Sequence, residues 1–151
     1  MNDKNRTKLN KVVEILKNLH FNPENIMVTG SIALDLQGVL PKNRISHDVD
    51  LILKADDQTW NSMKLLEAIC ADDSIEKTLD NEYFTNRNNT IILKSPSVVI
   101  NIWKYDGEWS SIKDCETGVY VATVDHIIKA KKMYGRPKDY QDINEICKNI
   151  L

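Results

Sequence analysis

Apolar and polar positions change period several times along the chain, and each change marks an element. Across residues 6–20, Leu9, Val12, Val13, Leu16 and Leu19 recur at the three- and four-residue spacing of one helical stripe. Asn22-Pro23 predicts the end of that helix, because the residue before a proline is pushed out of the helical region. Ile26-Met27-Val28-Thr29 is an apolar run of strand length, broken by Gly30-Ser31. Residues 32–37 then predict a short helix, with Ser31 as its N-cap and Gly38 as its stop. Residues 39–47 form a polar loop carrying Pro41, Lys42, Asn43 and Arg44. Beyond it, Asp48-Val49-Asp50-Leu51-Ile52-Leu53 alternates and then turns wholly apolar, which predicts a strand buried at its far end.

The second half follows the same logic. A helix is expected over residues 58–71 with Met63, Leu66, Ile69 and Cys70 inward, then a strand near 74–78 and a loose loop over 81–89. Ile91-Ile92-Leu93 and the run from Val98 to Trp103 predict a hairpin around Ser95-Pro96-Ser97. Tyr120-Val121 reads as a short edge strand, and two helices, 124–134 and 137–150, close the chain. The expected class is α/β (α+β): a mixed β-sheet flanked by helices, ending in a helix pair. No repeat, low-complexity tract or linker interrupts residues 1–151, so one domain is expected.

Composition removes several function classes. A hydrophobic fraction of 42% with 28% charged residues belongs to a globular protein rather than a disordered one. No apolar run approaches the roughly 20 residues that span a bilayer. The polar start MNDKNRTKLNK leads straight into the first amphipathic pattern, so neither a signal peptide nor a membrane association is expected, and the expected location is cytoplasmic. A net charge of −2, from 20 basic and 22 acidic residues, gives no general attraction to nucleic acid. Cys70, Cys115 and Cys147 are scattered singly and fit reduced thiols, with Cys70 and Cys147 expected as small core residues on apolar helix faces.

The candidate chemistry lies between Thr29 and Leu53. A strand that ends in Gly30-Ser31 and opens a helix presents backbone N–H groups and a hydroxyl suited to a phosphate anion, although a plain capping turn has the same sequence. Asp48 and Asp50, two apart on a strand, project to one side. Two such carboxylates repel unless a cation lies between them, and Mg²⁺ takes oxygen ligands of this kind together with phosphate oxygens. The competing reading is a solvated acidic turn, which suits poorly an aspartate set directly against Leu51-Ile52-Leu53.

In the tail, Val124, Ile127, Ile128 and Lys131 share a helical face, so Lys131 stands where an apolar residue is expected. Either it pairs with Asp139 as a structural ion pair, or Lys131 or Lys138 reaches a polyphosphate. Asp139 and Asp142 each precede an apolar residue of the last helix by one turn and lean toward its buried side. His47-Asp48 also matches the pair used by metal-dependent phosphohydrolases, but those need further histidines, and His20 and His126 read as ordinary helix residues. Trp60, Trp103 and Trp109 offer rings that could stack a nucleobase, with core or rim packing as the ordinary alternative.

The pattern Gly30-Ser31, Leu34, Gly38, then Arg44-Ile45-Ser46-His47-Asp48-Val49-Asp50-Leu51 resembles the signature of the nucleotidyltransferase superfamily related to DNA polymerase β. Asp125-His126-Ile127-Ile128 through Lys131, Gly135-Arg136-Pro137-Lys138-Asp139 and Asp142-Ile143 resemble the C-terminal helix pair of its small prokaryotic members, some of which act in toxin–antitoxin or phage-defence systems. The resemblance implies the nucleotidyltransferase fold and transfer of a nucleoside monophosphate from an NTP, ATP foremost, to a hydroxyl acceptor: a small molecule, a protein or an RNA end. It implies Mg²⁺ on Asp48 and Asp50, phosphates at Gly30 and Ser31, and balancing charge from Arg44, Lys131 or Lys138.

It also implies a third acidic residue on a later strand, and the matching position here is Asn101. An amide cannot supply the charge or accept the proton that two-metal chemistry asks of that position. Asp106 and Glu108 follow on the same stretch but off the matching position. Two hypotheses stand: an enzyme weakened at Asn101, or a nucleotide-binding or partner-binding protein of this fold without catalysis. In 151 residues there is little room for an acceptor-binding module, so a homodimer or a toxin–antitoxin-type partner is expected to help recognise the acceptor.

Overall fold

The apolar stripe of the first segment becomes helix α1 (Asp3–Asn18), whose Leu9, Val12, Val13 and Leu16 are fully buried. In the computed structural model, which describes residues 2–18, 20–40, 45–70, 90–94, 98–104 and 110–150, this helix ends by a different device from the one predicted. His20 adopts a left-handed φ of 67° and is not a helix residue. Its N–H donates to the Lys17 carbonyl at 2.9 Å while Phe21 N–H reaches the Leu16 carbonyl at 3.0 Å, the paired bonds of a Schellman turn. Asn22-Pro23 opens the next element instead: Asn22 caps a 3₁₀ turn, Pro23–Asn25, by accepting the Glu24 N–H at 3.0 Å.

β1 (Ile26–Thr29) follows, then α2 (Gly30–Leu36), β2 (Asp48–Leu53) and α3 (Asp57–Cys70). The hairpin is present as β3 (Thr90–Lys94) and β4 (Val99–Lys104), antiparallel with Lys94 opposite Val99. β5 (Ser111–Lys113), β6 (Tyr120–Ala122), α4 (Val124–Tyr134) and α5 (Pro137–Ile150) complete the order. The expected strand near 74–78, the loop over 81–89 and the turn over 95–97 lie outside the described residues. So do the side chains of Leu66, Ile69 and Cys70.

The strands form one six-stranded mixed sheet in the order β3-β4-β2-β1-β6-β5. β2 runs antiparallel to β1 and parallel to β4, and β1 runs parallel to β6. β1 is therefore central, and Ile26, Met27 and Val28 are fully buried, each removal from water contributing about 1.5–3 kcal/mol. β6 was expected at an edge but lies between β1 and β5. The edge belongs to β5, whose short Ser-Ile-Lys pattern, with Ile112 exposed, carries no strand signal of its own.

β2 departs from expectation in one respect. It keeps its alternation to the end: Val49, Leu51 and Leu53 are fully buried, whereas Asp48, Asp50 and Ile52 share the opposite, more open side. Helix α2 packs on β1 and β2, α1 on α2 and β2, α3 on β3, and α4 on α2 and α5. No helix among the described residues is long and apolar enough to cross a membrane.

Candidate active site

Strand register assembles the acidic end of the sheet. Asp50 stands opposite Thr29 on one neighbour and Asn101 on the other, and residues directly opposite in a sheet share a face. Asn101 is buried, and its Nδ2 donates to Asp50 Oδ1 at 3.0 Å and to Asp48 Oδ2 at 3.4 Å. The residue matching the third acidic position thus faces both aspartates, but as a neutral donor. The Asp50 pKa is pushed up to about 6, mainly by burial and further by the charge of Asp48, against the Asn101 bond and the positive charges of Lys131 and Lys138.

The glycine–serine turn abuts the same carboxylate. Gly30 has φ of 66°, and a Cβ there would overlap Asp50 Oδ2 and lie 3.2 Å from both Asp50 Cβ and Cγ. Only glycine leaves room for this approach.

Ser31 is not the N-cap. Thr29 holds that position in extended backbone without a side-chain capping bond, and Ser31 Oγ instead meets Ser46 Oγ at 2.6 Å. Ser46 is gripped by α1 on both backbone atoms. Its N–H donates to Asn5 Oδ1 at 2.8 Å, and Lys8 Nζ donates to its carbonyl at 2.5 Å. Asn5 in turn donates through Nδ2 to Asp35 Oδ2 at 2.8 Å, which ties α1 to α2. Asn5, Asp35 and Ser46 are all buried, so this polar chain is satisfied internally and fixes the segment that leads into Asp48.

The C-terminal helices supply the opposite wall. Lys131 Nζ pairs with Asp142 Oδ2 at 2.9 Å, not with Asp139 as expected. Asp139, 1% exposed, accepts from Arg136 at Nε (2.5 Å), Nη2 (2.8 Å) and the backbone N–H (3.2 Å). Those bonds outweigh burial and hold its carboxyl below the ordinary aspartate range. A cavity of about 420 Å³ lies between the walls, with Gly30, Ser31, Asp48 and Asp50 on one side and Lys131 and Lys138 on the other. Its volume falls within the roughly 300–1,000 Å³ usual for small-molecule sites.

Other candidates are placed elsewhere. Trp60 is buried in the core, and Trp103 is half-buried on β4 beside Ile52. Arg44, Asp106, Glu108 and Trp109 lie outside the described residues. His47 lines the cavity, His126 sits in the first turn of α4, and His20 forms the α1 stop. Cys147, expected in the core, is exposed on α5, as is Cys115 in its turn.

Two carboxylates that share one donor are within the reach of a single small divalent cation, which commonly takes one or two carboxylates and completes its shell with phosphate and water. Among the described residues no group of three or more His, Cys, Asp or Glu side chains is placed to hold a metal ion.

Asn5, the Arg136–Asp139 pair and the clamp on Ser46 were not read from the sequence, although Arg136 and Ser46 stand within the motifs that carry the resemblance. Asn5 had a signal: it stands four residues before Leu9 and continues the buried stripe as its one polar member. No family model, curated protein or solved structure matches the chain.

Proposed function

We propose that the cavity binds a nucleoside triphosphate with Mg²⁺, and that the protein has the nucleotidyltransferase fold and transfers a nucleoside monophosphate to a hydroxyl acceptor. The observation that carries this reading is the single bay bordered by the Asp48–Asp50 pair, the Gly30-Ser31 turn and the lysines Lys131 and Lys138. Lys138, with the Lys131–Asp142 and Arg136–Asp139 pairs beside it, offers ammonium and guanidinium groups to a polyphosphate whose remaining charge a cation would share.

In this reading the acceptor hydroxyl oxygen attacks the α-phosphorus and gives up its proton to solvent, the bond to the bridging oxygen breaks, and pyrophosphate leaves with its electron pair. Asp48 and Asp50 would hold Mg²⁺, which supplies neutralisation of the phosphate charge. Ser31 donates to a phosphate oxygen, and Ser46 holds the Ser31 hydroxyl in place. Lys138, and Lys131 on exchanging Asp142 for phosphate, balance the charge that gathers on the leaving group. Asn101 neither binds a second cation nor accepts the acceptor proton, so turnover is slow.

A second reading has a specific observation behind it. The amide of Asn101, itself uncharged, donates to both aspartates and so holds the pair together without chemistry. On that reading the protein binds nucleotide, or a partner, and does not turn over. Calorimetry with ATP and Mg²⁺, followed by a pyrophosphate-release assay on the wild type and Asn101→Asp, separates the two. Binding with slow release that Asn101→Asp accelerates supports the enzyme. Binding with no release from either protein supports the second reading. Absence of ATP binding in the presence of Mg²⁺ removes the enzyme and the nucleotide-binding form of the second reading, and leaves only partner binding.

A further inference from the structure

A second cavity, of about 380 Å³, runs along α1 and is lined by Asp3, Lys4, Thr7, Lys8, Lys11 and Val98. Positions 4, 8 and 11 follow one another at four and three residues, so three lysines share one face of the helix. Like charges at that spacing repel, and among the described residues neither Lys4 nor Lys8 pairs with a carboxylate. Lys8 is half-buried, and its Nζ donates to the Ser46 carbonyl at 2.5 Å. That neutral acceptor fixes the ammonium group and leaves two of its N–H donors unused. Thr7 turns its hydroxyl proton to the Asp3 carbonyl at 3.0 Å, so the lysines are the side-chain donors that the lining offers. Asp3, the one acid of the lining, lies in the first turn of α1, where the positive end of the helix dipole already attracts it. Val98 is buried and, with the lysine stems, gives the cavity an apolar side.

We propose that this groove is a second ligand site, which takes an organic phosphate monoester: the phosphate meets the ammonium groups of Lys4 and Lys8, and the organic body lies against Val98 and the lysine stems. Two ammonium groups without a carboxylate partner match a monoester, which carries about −1.5 to −2 charges at neutral pH, better than they match a single carboxylate. Lysine serves such a group as a point charge with rotatable donors, which asks less of geometry than a guanidinium fork does. The apolar side favours a phosphate with a carbon body over inorganic phosphate. The site does not depend on what the Asp48–Asp50 cavity binds, because the two cavities share no lining residue.

The test titrates the intact protein with phenyl phosphate, without Mg²⁺, and follows backbone amide NMR shifts; benzoate, inorganic phosphate and a single-stranded DNA decamer are the comparison ligands. Phenyl phosphate is expected to shift the Lys4, Thr7, Lys8 and Lys11 amides saturably. Lys4→Gln, an exposed position, is expected to weaken that binding about fivefold, and Lys138→Gln, in the other cavity, to leave it within about twofold of wild type. Shifts confined to the Asp48–Asp50 cavity, or equal losses in the two variants, overturn the site. Benzoate binding as tightly as phenyl phosphate overturns the phosphate, and inorganic phosphate binding as tightly overturns the organic body. A decamer that shifts the same amides and binds more tightly overturns the monoester in favour of a polynucleotide strand. Failure of ATP to bind with Mg²⁺ leaves these shifts as they are, so the two sites stand or fall separately.

Discussion

Gly30→Ala tests the closest approach in the site and can be worked through from its geometry. Two costs are expected. The first is backbone strain: alanine at φ of 66° sits in a region that disfavours L-residues by about 1–2 kcal/mol, partly offset by about 0.4–1 kcal/mol from a stiffer unfolded chain. The second is steric: the new methyl displaces the Asp50 carboxylate, since Oδ2 would overlap it and Cβ and Cγ stand only 3.2 Å away. Moving that carboxylate breaks its 3.0 Å bond from Asn101, a charge-assisted bond of about 1.5–3 kcal/mol.

Gly38 provides the control. It has φ of 74° and no atom within 4 Å of its would-be Cβ, so Gly38→Ala carries the strain alone. In urea unfolding, Gly38→Ala should cost about 1 kcal/mol and Gly30→Ala about 3 kcal/mol. In an Asp50→Ala background the Gly30→Ala cost should drop toward that of Gly38→Ala, giving a coupling of about 1–2 kcal/mol. Equal costs at the two glycines, or additivity within about 0.5 kcal/mol in the cycle, would refute the claim that the turn rests on the carboxylate.

Two further outcomes follow from the same contacts. A raised acid binds more protons folded than unfolded, so the ionised Asp50 weakens the fold: its penalty is absent below about pH 4, grows through pH 6 and is complete above it. A rise from 3.8 to about 6 corresponds to about 3 kcal/mol, so Asp50→Asn should match wild type near pH 4 and be about 3 kcal/mol more stable near pH 8; a difference that does not change with pH in urea titrations would rule this out. Asn5→Ala removes the acceptor of Ser46 N–H and a donor to Asp35 in a buried setting, costing about 3 kcal/mol, or roughly 6–12 °C in melting temperature; a drop under about 2 °C by calorimetric scan would mean that the α1 clamp does not hold the site.

What could be read from the sequence was whatever depends on period. The α1 stripe, the hairpin, the two closing helices and the shared face of Asp48 and Asp50 all follow from spacings of three, four or two, and the structure has them. Asn101 was singled out by the resemblance, which implies an acidic position on that strand; the parallel register of β2 and β4, which no periodicity gives, is what sets the amide opposite Asp50. What could not be read was pairing between distant polar groups. Lys131 had two aspartates one turn apart to choose from, and only the helix–helix packing selects Asp142, since Arg136 already holds Asp139. Ser31 had the sequence of a cap, yet Ser46, brought close by the Asn5 and Lys8 contacts, takes its hydroxyl. β5 was missed because an edge strand of three residues needs no apolar face.

The amide at residue 101 shapes the energetics of the site beyond its lack of charge. Two aspartates on one strand face repel, and here the repulsion is met in two ways at once: the amide donates to both, and the Asp50 carboxyl becomes easier to protonate. A cation entering between them must displace those amide bonds, and below about pH 6 the proton on Asp50 as well, so its affinity is lowered by the arrangement that steadies the site without it. An acid at 101 would reverse the balance, raising the attraction for a cation while leaving three buried or half-buried carboxylates to repel one another whenever the cation is absent. Under the proposed function, Asn101 would trade affinity for a resident metal against lower repulsion in the empty site, so that a metal would arrive together with the polyphosphate.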